Sequence, residues 1–78
     1  MVKTVEDWVV EAVQSSTIKT VGHNSKTNDL FVEFQSGDQY MFFDVPEHEF
    51  ESFLEAESKG IFFAEEIKDE YDFQKLVA

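Results

Sequence analysis

The chain lacks arginine and cysteine altogether, and its 78 residues include only one proline and three glycines. Without cysteine there can be no disulfide and no thiolate metal site. The absence also fits a reducing cytosol, the compartment expected here. Gly22, Gly37 and Gly60 are isolated from one another, so no glycine-rich phosphate cradle exists. No apolar run is long enough to span a membrane, and Met1 to Asp7 carries no stretch of the signal-peptide kind. Positive charge is equally scarce, with six lysines facing 17 Asp and Glu for a net charge of −11. A domain so charged repels phosphate and anionic lipid and is drawn to basic surfaces. The expected partner is therefore a protein with a basic surface, with no direct nucleic-acid or membrane binding.

Aromatic residues are abundant: nine Phe, two Tyr and one Trp. The length sets one domain with one core, and each fully buried Phe adds about 1.5–3 kcal/mol. The charge is uneven. Residues 1–43 are net −3, residues 44–72 net −9, and Lys75 makes the last six residues net +1.

Val5, Trp8, Val9, Ala12 and Val13 recur at helical spacing. With Thr4 as cap and Glu6 and Asp7 in the first turn, this spacing predicts a short helix over 5–14. The β-branched stretch Thr17–Val21 predicts a strand, and the polar residues 22–28 a loop. Two more strands, 29–34 and 39–44, form a hairpin. A three-residue loop, Gln35-Ser36-Gly37, pairs Val32 with Tyr40 and Leu30 with Phe42. It keeps the apolar face together and puts Gly37 at the left-handed position. Pro46 and Glu47 open a second helix that carries Phe50, Phe53 and Leu54 inward and stops at Gly60. A third helix runs from Phe62 to Tyr71 with Phe63, Ile67 and Tyr71 on one side, and Phe73, Leu76 and Val77 form a tail. The fold expected is α+β: a short N-terminal helix, a three-stranded antiparallel sheet and two C-terminal helices packed on it.

Several of these residues recur in a known pattern: Ser15-Ser16-Thr17-Ile18, Val21-Gly22, Leu30-x-Val32-x-Phe34, Gly37-x-x-Tyr40, Val45-Pro46, Ala56-x-Ser58-Lys59-Gly60-x-Phe62-Phe63, Ile67 and Tyr71. This resembles the KTSC domain, a module named for its place at the C-terminus of some lysyl-tRNA synthetases and also found in stand-alone bacterial and phage proteins. The resemblance implies one domain over 1–78, with a family-like core at 13–71 and an added N-terminal helix at 1–12. It also implies a role near RNA or a translation enzyme. The chain departs from the pattern at His23, where relatives tend to carry Tyr, and at Ala64 and Lys68, where they tend to carry Asn and Arg.

Two groups of residues are candidates for binding. Glu47, Glu51 and Glu55 fall at i, i+4 and i+8, a stripe whose carboxylates rise about 6 Å per step, close to the spacing of phosphates along a nucleic-acid strand. Glu65 with Asp69, and Glu66 with Glu70, repeat the like-charge i, i+4 arrangement, each costing a few tenths of a kcal/mol. The plain alternative is an ordinary solvated face. Phe31, Met41 and Phe43 form the second group, on the outer face of the hairpin. Either the N-terminal helix covers them, with Trp8 against Phe31 or Met41, or they meet a partner. Base stacking there would need cations beside the rings, and only Lys19 is near.

Catalytic and metal motifs are missing. His23 and His48 lack ligand spacing and read as exposed loop or helix histidines, and Ser15 and Ser16 read as turn residues. The expectation is a non-enzymatic, cofactor-free interaction module, monomeric or weakly dimeric. An inhibitor of phage type, mimicking nucleic acid on the basic surface of a nucleic-acid-binding protein, fits it. The alternatives are an RNA- or tRNA-associated accessory domain, and a module that binds through its apolar sheet face.

Overall fold

The computed structural model describes residues 2–76. Six strands, β1 (Val2–Val5), β2 (Trp8–Ala12), β3 (Ile18–Asn24), β4 (Asp29–Phe34), β5 (Gln39–Phe42) and β6 (Phe73–Leu76), form one sheet in the order β1-β2-β3-β4-β5-β6. Every neighbouring pair is antiparallel. Between β5 and β6 the chain forms α1 (Glu47–Glu55), α2 (Lys59–Phe62) and a π-helical turn (Phe63–Ile67). The expected α+β class stands, but the arrangement expected within it does not: among the described residues there is no N-terminal helix, and the sheet has six strands instead of three.

The residues of the N-terminal segment can sit on a pleated surface as well as on a helix, and pairing with β3 fixes the segment as a hairpin. Trp8-Val9-Val10 is aromatic and β-branched. Val9 pairs with His23 and Val10 with Gly22, so successive side chains go to opposite faces. The connecting residues Glu6 and Asp7 contain no glycine, and Glu6 takes the left-handed conformation at φ 56°. Thr4, expected as a cap, lies in β1.

The β4–β5 hairpin has the expected register, with Leu30 opposite Phe42 and Val32 opposite Tyr40. Gly37 has φ 95°, and its N–H donates to the Phe34 carbonyl at 2.9 Å. β3 runs on through Gly22, His23 and Asn24, expected as loop, and the turn is confined to residues 25–28. Gly22 permits this, because a Cβ there would lie 3.3 Å from Val10 Cγ2 and 3.6 Å from Trp8 Cε3. The indole lies over the glycine and replaces the packing its missing side chain would have supplied.

The core lies between one sheet face and the helices. Ile18, Val21, Leu30, Val32 and Phe42 from the sheet meet Val45, Phe50, Phe53 and Ile67 from the other side. Two helix boundaries differ from expectation. Pro46 is the cap of α1 and not its first residue, and α1 ends at Glu55. Gly60 does not stop a helix but lies inside α2, where a Cβ would come within 3.3 Å of Thr17 Oγ1. Ser58 caps α2 by accepting from the Ile61 N–H at 3.3 Å. The helix expected over 62–71 is this short α2, its π-helical turn and a bend. Phe73 and Leu76 pair as β6 instead of forming a tail, and Val77 lies outside the described residues.

Candidate functional site

The sheet divides the candidate residues between two opposite sides. Both helical elements cover the face that carries Leu30, Val32 and Phe42. Glu47, Glu51 and Glu55 are exposed on the outer side of α1, at the i, i+4, i+8 spacing expected. Glu65 and Glu66 lie in the π-helical turn, and Asp69 and Glu70 in the bend after it, all exposed. The wider π turn means that Glu65 with Asp69 and Glu66 with Glu70 are not stacked as in a regular α-helix. The one ion pair among the described residues joins Lys75 to Asp38 at 3.6 Å. None of these seven helix-side carboxylates is in it.

The other sheet face carries Trp8, Val10, Phe31 and Met41, with Phe31 directly opposite Met41. No helix lies over it among the described residues. The expected cover by an N-terminal helix is therefore corrected: Trp8 shares the sheet face with Phe31 and Met41, and its ring sits above Gly22. Phe31, Met41 and Phe43 are all half-buried and lie outside the core cluster. Glu33 interrupts the apolar surface and accepts from Gln39 Nε2 at 3.3 Å.

His23 corrects a further expectation. It is 2% exposed, its Nε2–H donates to the Val45 carbonyl at 2.7 Å, and its ring stacks on Phe50 with centroids 5.1 Å apart. That ties β3 to the start of α1 and gives the histidine a structural task. No cluster of three or more His, Cys, Asp or Glu with metal-binding geometry occurs among the described residues. Nor is any described helix long and apolar enough to cross a membrane.

Tyr71 reaches back to α1, where its hydroxyl donates to Glu49 Oε2 at 3.2 Å. Burial raises its pKa above the ordinary tyrosine value, and the Glu49 carboxylate, with Glu70 and Glu66, pushes the same way.

Between the π-helical turn and the β4–β5–β6 end of the sheet lies a cleft of about 570 Å³. Aromatic rings build its wall. Phe63 meets Phe34 and Phe42 edge to face at 5.2 and 5.5 Å, and Phe73 meets Tyr40 and Phe42 at 5.7 and 5.5 Å. Asp38, Lys68 and Asp69 line it together with these rings. Thr17, Phe34, Tyr40, Gly60 and Phe63 also line it, and all five are residues on which the family resemblance rests. From sequence these aromatics are core or turn residues, and the cleft is not foreseen. The signal that points to it is the number of rings, more than one small core encloses. A second, polar recess beside it is bounded by Ser15, Ser16, Ser58 and Lys59. Ser15 Oγ there accepts from the N–H groups of Thr17 and Ile18, each at 3.1 Å, as its turn role requires.

An antiparallel sheet with helices on one face and an aromatic cleft between them defines a small α+β domain. The chain belongs to the KTSC domain family: the model of the KTSC domain matches residues 14–71. It is 38% identical over 63 residues to a lysine–tRNA ligase of Nostoc punctiforme, covering 81% of this chain but only 11% of that protein. An uncharacterized protein of Stutzerimonas stutzeri is 35% identical over 60 residues, covering 77% of this chain and 84% of the relative. The crystal structure of a KTSC domain protein from Yersinia pestis superposes with a TM-score of 0.85 at 30% identity, covering 90% of this chain and 99% of the other.

Proposed function

We propose that the domain is a protein-interaction module whose acidic helical side binds a basic protein surface. One observation carries the reading: Glu47, Glu51, Glu55, Glu65, Glu66, Asp69 and Glu70 share one side of the sheet, all exposed and none in an ion pair among the described residues. Carboxylates left without internal cations keep their field for an outside partner. Occupying the basic groove of a nucleic-acid-binding protein, and so inhibiting it, is the specific form of this proposal. The module needs no cofactor and acts as a monomer or weak dimer. Affinity capture from lysate at low and high salt, with nuclease added, supplies the partner. Changing Glu47, Glu51 and Glu55 together to Lys then tests the surface. Binding is expected to fall at least tenfold and to lose its salt dependence; unchanged binding refutes the reading.

The likeness to part of a lysine–tRNA ligase supports a second reading, an accessory role beside tRNA or a translation enzyme. It predicts a mobility shift of tRNA at low salt, and a flat titration removes it. The uncovered sheet face supports a third, in which Phe31, Met41 and Phe43 meet the partner and the acids serve solubility.

A further inference from the structure

We propose that the aromatic cleft receives an arginine side chain from the basic partner. This deepens the reading of a basic protein partner and rests on it for the source of the arginine. The preference of the cleft for a cation is a separate property of the domain.

The volume of about 570 Å³ is within the range of sites that enclose a small group. Its lining includes the rings of Phe63, Phe73 and Tyr40. Phe73 is 55% exposed although it is a large apolar residue at the mouth of a pocket. An exposed ring face beside a carboxylate attracts a cation through the ring quadrupole. The chain already shows this attraction internally: Lys75 Nζ stands 5.9 Å from the Tyr40 centroid and 3.6 Å from Asp38 Oδ1. The same two features, ring and carboxylate, hold that ammonium at the rim.

The rim charges are balanced locally. Asp38, Asp69 and Lys68 line the cleft, Lys75 pairs with Asp38, and Lys68 is exposed. The sign of the wider field is set by Glu65, Glu66 and Glu70 on the same segment and by the net charge of −11. Among cations, arginine fits best. Its planar guanidinium stacks on rings and takes a carboxylate in two parallel hydrogen bonds, and it sheds water more readily than an ammonium. Its three methylenes cover the apolar wall. The domain has no arginine of its own to compete for the place.

The test is an NMR titration of the whole chain with Nα-acetyl-arginine methylamide and, in parallel, with the citrulline analogue, which has nearly the same shape and no charge. Saturable shifts are expected at Tyr40, Phe63 and Phe73, with arginine preferred roughly fivefold or more. Phe73→Leu keeps the apolar surface but lowers arginine to the level of citrulline. Lys75→Gln, which removes the resident cation, raises arginine affinity about two- to threefold. Lys26→Gln makes the same charge change in the distant β3–β4 turn and leaves the affinity unaltered. Equal binding of the two probes, shifts confined to α1, or equal effects of Lys75→Gln and Lys26→Gln would each overturn the proposal. The basic-partner reading would then still stand or fall on the Glu47, Glu51, Glu55 reversal.

Discussion

Replacing His23 with Phe isolates one hydrogen bond on which the junction of sheet and helix depends. The phenyl ring keeps the stack on Phe50, now 5.1 Å between centroids, and nearly the same volume. What disappears is the donor 2.7 Å from the carbonyl of Val45, a residue wholly buried. A buried carbonyl left without its partner costs about 1–3 kcal/mol, whereas the ring exchange itself gains a little from added apolar area. A net loss of about 1–2 kcal/mol is expected, or roughly 4–16 °C in Tm for a domain of this length. Urea denaturation followed by circular dichroism should show a lower midpoint at unchanged m-value. Amide exchange should accelerate first at Val45 to Glu49, where α1 begins. A variant as stable as the parent would refute the reasoning, because it would mean that the carbonyl finds water or that the bond contributes nothing net.

Other perturbations test other elements. The pKa of Tyr71 is raised in the folded state, so the folded chain holds its proton above the unfolded pKa of about 10. Its contribution to stability is complete below that pH and is lost as pH rises through the folded pKa; Tyr71→Phe should flatten the alkaline arm of a stability–pH profile. Gly37→Ala meets no neighbouring atom but must adopt φ 95°, so a loss of about 1–2 kcal/mol is expected in thermal melts, from backbone strain alone. Phe31→Ala together with Met41→Ala should leave Tm within a few degrees, both residues lying outside the core cluster. If that pair abolishes partner capture while the Glu47, Glu51, Glu55 reversal does not, the sheet face and not the acidic side is the interface.

The β4–β5 hairpin could be read in advance because three local signals agree. The residues alternate strictly, a glycine stands where the loop needs positive φ, and any other register turns a charge inward. The acidic stripe of α1 was equally legible, since spacing in a nine-residue helix follows from helical geometry alone. The N-terminal hairpin was not. Val5, Trp8, Val9, Ala12 and Val13 satisfy a helical period, and the Glu6-Asp7 turn has no glycine to announce it. Only pairing with β3 decides between the two periods. His23 was misplaced for a related reason: a polar Gly-His-Asn stretch reads as loop until Val45 supplies an acceptor and Trp8 covers Gly22.

Composition and local pattern by themselves determined the sign of the surface, the absence of thiol chemistry, the central hairpin with its register, and family membership. These are properties of single residues or of neighbours along the chain, and no long-range contact can alter them. Tertiary structure decided which face of the sheet is buried, that the N-terminal segment extends the sheet instead of covering it, and that Phe34, Tyr40, Phe63 and Phe73 enclose a cleft. Each of these depends on residues far apart in sequence meeting across strands or between sheet and helix, and the free energy of that meeting outweighs local preference.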